Sequence, residues 1–152
     1  MMSNVEVSRA QLRETGAIKR HGPEAFAAMR KAGQLAAAAL DMIAPYVEPG
    51  VTTEELDDRV LEFALDHGAV PAPLNYRGFP KSICTSINHV VCHGIPGPKP
   101  LREGDIINID VTLIVDGWHG DTSRMYAVGE ISRKAERLIE VTYEALMRGV
   151  AA

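Results

Sequence analysis

Apolar residues recur at steps of three and four between Phe26 and Ile43. The series is Phe26, Met29, Ala32 and Gly33, Ala36, Leu40 and Ile43. That period predicts an amphipathic helix. Pro23 suits its first turn, and Pro45 stops it by disfavouring helix in the residue before it. Its Ala-rich stretch favours close packing on a sheet or another helix. A turn at YVEPG follows, and Thr52-x-x-Glu55 reads as a capping box. It opens a second helix, TEELDDRVLEFALDH, with Leu56, Val60, Phe63 and Ala64 as the buried stripe. Gly68 fits the residue just past the helix, where a positive φ is needed.

The period then changes. APLNYRGFPKS is loop-like. SICTSI alternates as a strand does, and VVC reads as a second short strand before the Gly/Pro-rich HGIPGPKPLREGD. Ile106–Val115 is a strongly β-branched run. Asp116-Gly117 is a two-residue hairpin signal, and Trp118–Val128 is the returning strand. Ser132 caps a third helix, with Ala135, Leu138, Ile139, Thr142, Ala145 and Leu146 on one face. The order helix, helix, strands, hairpin, helix predicts an α+β fold with helices covering an antiparallel sheet. Residues 1–21 read as a polar arm, and 22–152 as one domain.

The 152 residues are enough for a real core. A formal charge of −4 excludes nucleic acid as the main partner, because phosphate binding needs a basic face. Two cysteines, Cys84 and Cys92, make no disulfide framework. No apolar run approaches the roughly 20 residues that cross a bilayer, and the first residues lack the apolar core of a secretory signal. The cytoplasm is the expected setting.

The hairpin carries the chemistry. A two-residue turn pairs Val115 with Trp118, hence Thr112 with Asp121 and Asp110 with Ser123. Alternation then puts Asp110 and Asp121 on one face, as diagonal neighbours with backbones roughly 7–8 Å apart. Ile107, Ile109, Val111, Leu113 and Val115 take the other, core face. Two close carboxylates repel, and burial raises the cost. A divalent cation offsets both, and Asp oxygens suit Mn, Fe, Co, Zn or Mg. Two solvated aspartates on an open hairpin face satisfy the same spacing. His119 falls on that face as a third ligand or as a surface histidine. His93, at the mouth of the Gly/Pro loop, suits hydrogen bonding to a substrate carbonyl or a plain turn. Cys92 adjoins it, but strand neighbours point apart, which disfavours a Cys-His dyad.

Together, YRGFPKSICTSINHVVCHGIP, GDIINIDVT and DGWHGDTSRMYAVG resemble type I methionine aminopeptidase, from about Ala27 to the last residue. The resemblance implies the pita-bread fold, with two similar halves around a central sheet. It implies a metal-dependent hydrolase using one or two divalent ions. Its substrate is the initiator methionine of nascent polypeptides, the ribosome is a candidate partner, and the family is usually monomeric. It implies Asp110 as a metal ligand, Asp121 as the ligand bridging both ions, and His93 as a contact to substrate near the scissile amide. Tyr76, Phe79 and Cys84 would form the methionine pocket, with Phe79 where the family often has tyrosine. The residue matching His119 is not a ligand in that family. The family's chain runs on to supply a histidine and two glutamates. This sequence is therefore expected to be an N-terminal portion with little activity alone. A two-chain assembly and a non-catalytic binding module are the alternatives. Aminopeptidase P or prolidase is the nearest other enzyme, and NIDVT and VCHGIP fit it less well.

Overall fold

The protein is described here over residues 19–152 by a computed structural model. Most of the predicted arm lies outside them; residues 19–22 are exposed coil.

Helix α1 spans Pro23–Ile43, with proline in its first turn as expected. Its Ala32, Ala36, Ala39, Leu40 and Ile43 are buried. The predicted stripe fails at its first two members, since Phe26 is 60% and Met29 51% exposed. Helix α2, Thr53–Asp66, begins with the Thr52/Glu55 capping box, both arms formed. Leu56, Val60 and Ala64 are buried as predicted, and so is a charged neighbour, Asp57. Gly68 follows with φ +67°.

Four antiparallel strands make one sheet: β1 (Val70–Pro71), β2 (Cys84–Ile87), β3 (Ile106–Val115) and β4 (Trp118–Ala127). β3 is central. All of β4 pairs along one edge of it. On the other edge β1 meets Leu113 and Ile114, while β2 meets Ile107 to Asp110. The chain between β1 and β2 therefore leaves the sheet near Thr112 and rejoins it at Asp110. The Ala72 amide donates to the Thr112 carbonyl as it departs.

VVC is not a strand. β2 ends at Ile87, and Asn88 turns the chain with φ +52°. The Asn88 side chain pins that turn by bonding Asp105 and the Ile106 amide. Val91 is left 94% exposed, so apolar character misled the strand assignment there.

α1 lies across β3 and β4. Close approach is set by Gly120: a Cβ there would fall within 2.5 Å of the Gly33 nitrogen and closer still to the Ala32 carbonyl. Helix α3, Arg133–Ala151, is capped by Ser132 as predicted. Its stripe is not covered, however. No residue of α3 is buried, Leu138 is 59% exposed, and only Ala135 and Ile139 along the stripe are half-buried. No described element lies against that face.

Candidate functional site

The Asp116-Gly117 turn has φ +51° and +82°, the doubly left-handed form that a right-twisted hairpin favours. The register follows as read from it: Thr112 faces Asp121 and Asp110 faces Ser123. Ile107, Ile109, Val111, Leu113 and Val115 are all buried on the α1 side. Asp110 and Asp121 stand on the opposite, open face.

β2 adds a third strand to that face. Cys84 pairs with Asp110, so the thiol lies beside the carboxylate. The β1–β2 chain then arches over it. Asn75 and Arg77 take left-handed backbone (φ +65° and +50°), and the Asn75 amide closes the arch on the Phe79 carbonyl at 2.8 Å. The arch and the open face enclose a cavity of about 760 Å³. Its walls include Tyr76, Phe79, Cys84, His93, Asp110 and Asp121, all six predicted site residues. His119 also lines it.

His93 arrives by a separate route. Gly94 runs along the outer edge of β2, accepting from the Thr85 amide at 2.8 Å and donating to Ser86 Oγ at 3.2 Å. The fit is so close that a Cβ on Gly94 would lie 2.8 Å from the Thr85 carbonyl carbon, with the oxygen nearer. His93, with φ +54°, turns the chain into that contact at the cavity mouth. The sequence argument against a Cys92–His93 dyad assumed a strand, and none exists there. Cys92 is exposed and is not part of the cavity wall.

Burial first, and then the neighbouring Asp121 charge, hold the Asp110 carboxyl above the usual carboxylate range, with His93 pulling the other way. Burial likewise pushes the Cys84 thiol up to about 11, with Asp110 adding to it. Among the described residues no amide or basic side chain hydrogen-bonds either aspartate; the two carboxyls bond each other, which also raises Asp110. A pair of adjoining carboxylates facing a cavity, with no cationic partner, is the donor chemistry of a hard divalent cation. The residues thus fit such an ion, although no group of three His, Cys, Asp or Glu side chains is gathered among the described residues. The option of His119 as a third ligand beside the aspartates is therefore not realised.

Sequence reasoning missed Thr112, which the pairing arithmetic placed between the two aspartates. It also missed Ala72, Pro73, Arg77, Pro80 and Ile95 on the walls. Those on the arch depend on its left-handed residues, for which Gly78 and the flanking prolines were the local hints, while Ile95 arrives with the His93 segment.

The family described as metallopeptidase family M24 matches residues 27–152. Methionine aminopeptidase of Rickettsia prowazekii is 62% identical over 133 residues, 88% of this chain and 51% of the relative. Its crystal structure superposes with a TM-score of 0.86, covering 88% of this chain and 54% of that one. The methionine aminopeptidase structure of Thermotoga maritima gives 34% identity and a TM-score of 0.83 over 87% and 53%. An Xaa-Pro dipeptidase from Bacillus anthracis gives 26% and 0.74 over 85% and 35%. The chain spans about half the length of the curated relatives it matches. The architecture shared with these structures is the pita-bread fold.

Proposed function

Because this chain belongs to metallopeptidase family M24, we propose that it supplies metal ligands and the side-chain pocket of a methionine aminopeptidase acting on nascent polypeptides. One observation supports this above the rest: Asp110 and Asp121 adjoin each other on the open face of the hairpin beneath an apolar arch.

In this reading Asp110 on β3 and Asp121 on β4 hold one or two divalent ions between them. An ion there supplies Lewis acidity toward the scissile carbonyl and toward an attacking water. Tyr76, Phe79 and Cys84 enclose the methionine side chain, whose flexible, polarizable thioether suits such a wall. His93 lies at the cavity mouth, where it donates to the scissile amide or to the oxygen that gathers charge as the carbonyl becomes tetrahedral. The arch excludes water from one side of the bond and fixes the residue to be released. Two carboxylates leave coordination positions to water or to other donors. Methionine is favoured over an Xaa-Pro substrate by 62% against 26% identity of the respective relatives. The cytoplasm is the proposed setting. No helix among the described residues is long and apolar enough to cross a membrane.

The experiment pairs Mn(II) titration, followed by the electron paramagnetic resonance of free Mn(II), with methionine release from a Met-Ala-Ser peptide. Saturable binding with only weak release is expected in the wild type, since two carboxylates leave the site open. Both are expected to be lost in Asp110→Asn and Asp121→Asn. Unchanged Mn(II) binding in both variants would overturn the ligand assignment. Preferential cleavage of an Ala-Pro peptide would overturn the substrate.

A further inference from the structure

Asp57 is a buried carboxylate that the chemistry above leaves unused. It sits in the second turn of α2, 3% exposed, among the apolar residues of that helix. Its Oδ1 accepts from two consecutive backbone amides, Ser82 at 2.7 Å and Ile83 at 3.0 Å. Its Oδ2 lies 3.8 Å from Lys81 Nζ, which donates to Glu54 at 2.7 Å. A buried carboxylate is costly unless its oxygens are bonded. An apolar residue would fill the same space without that cost, so packing alone does not account for an aspartate here.

The two amides explain it. β2 begins only at Cys84, so Ser82 and Ile83 precede the sheet ladder. The segment they belong to joins two parts of the cavity wall. Phe79 and Pro80 lie before it, and Cys84, paired with Asp110, lies immediately after it. One carboxylate on a helix thus stands in for the missing strand partner at this junction.

We propose that Asp57 is a positioning residue for the side-chain pocket: by holding the Ser82 and Ile83 amides it sets the Phe79-to-Cys84 wall against the face that carries Asp110. This rests on the functional reading above. It extends that reading to a residue remote from substrate, acting through backbone.

The test compares Asp57→Ala and Asp57→Asn with the wild type in three measurements: Met-Ala-Ser kinetics, Mn(II) titration, and labelling of Cys84 by a thiol reagent. Asparagine keeps an oxygen acceptor for both amides, and alanine does not. Asp57→Ala is expected to raise KM about tenfold, the scale of one strong hydrogen bond's worth of binding, with kcat and Mn(II) binding little changed. Cys84, protected in the wild type, is expected to become reactive. Asp57→Asn is expected to restore KM and protect Cys84. An alanine variant with wild-type KM and a protected Cys84 would overturn the proposal. So would an asparagine variant with raised KM and a reactive Cys84, and that comparison decides the matter if the alanine variant does not fold. Should the wild type release no methionine, Mn(II) titration decides the functional reading by itself, and Cys84 labelling alone decides whether Asp57 holds the wall.

Discussion

Gly120→Ala probes the contact that fixes the hairpin under α1. The added Cβ would sit 2.5 Å from the Gly33 nitrogen and nearer to the Ala32 carbonyl, where ordinary contact begins at 3.4 Å. The obstruction is helix backbone, which has no rotamer to change. Either α1 or β4 must retreat by about 1 Å, loosening Ala32, Ala36 and Leu40 against the sheet. Overpacking of this kind costs about 1–3 kcal/mol, and an immovable obstacle places Gly120→Ala near 3. For a chain of this length each kcal/mol lowers Tm by roughly 2–4 °C, so a fall of about 6–12 °C is expected on that scale. Asp121 is the next residue along β4, and its displacement is expected to weaken Mn(II) binding in the same variant. Circular dichroism melts with and without Mn(II) measure both. A second substitution, Ala32→Gly, should not rescue the loss, because the clash is with the carbonyl and not with the methyl. A Tm unchanged within error, or full rescue by Ala32→Gly, would refute the steric account.

Further expectations concern the site itself. In the metal-free protein Asp110→Asn should be more stable than wild type at neutral pH. A raised carboxyl pKa means that the native state holds its proton more tightly than the unfolded chain, so the wild type loses stability as pH climbs from the ordinary carboxylate value through the raised one. The gap between the two proteins should open over that window and then level off, as melts in EDTA across pH would show. At pH 8 a thiol reagent should label one cysteine per chain, the exposed Cys92, since Cys84 is both buried and pushed up to about 11; rapid labelling of two would contradict the buried wall. Gly94→Ala should misplace His93 and cut methionine release by about 100-fold, the cost of an error near 1 Å in a reacting geometry, while Mn(II) binding persists. Loss of both together would mean that the loop supports the aspartates as well.

The hairpin was the most legible part of the chain. A Asp-Gly pair between β-branched runs fixes turn type, turn type fixes register, and register puts Asp110 and Asp121 on one face. Helix α2 was equally open, because a capping box is a local signal between residues three apart. What was hidden depended on distant partners. Asp57 looks like half of a solvated Asp-Asp pair on α2; only the amides of Ser82 and Ile83, supplied from another part of the chain, make it a buried residue. Val90 and Val91 look like core and are exposed, because their loop lies outside the sheet ladder. The stripe on α3 was read correctly as a pattern, but a pattern does not say whether any element will lie against it. The cavity's six principal residues were named from motifs, while the arch that gathers them depends on left-handed backbone at Asn75 and Arg77, residues whose types permit that geometry without announcing it.

The Asp116-Gly117 turn has a consequence for the order of assembly. Hairpins close in roughly 1–10 μs, by contacts that need nothing from either helix. If the hairpin closes ahead of the rest, the anionic pair comes into register before the surrounding wall can shield or neutralise it. Mutual repulsion then opposes the very step that aligns the strands. Refolding should accept dissolved divalent ions as an accelerant, and mild acid should do the same work by protonating one partner.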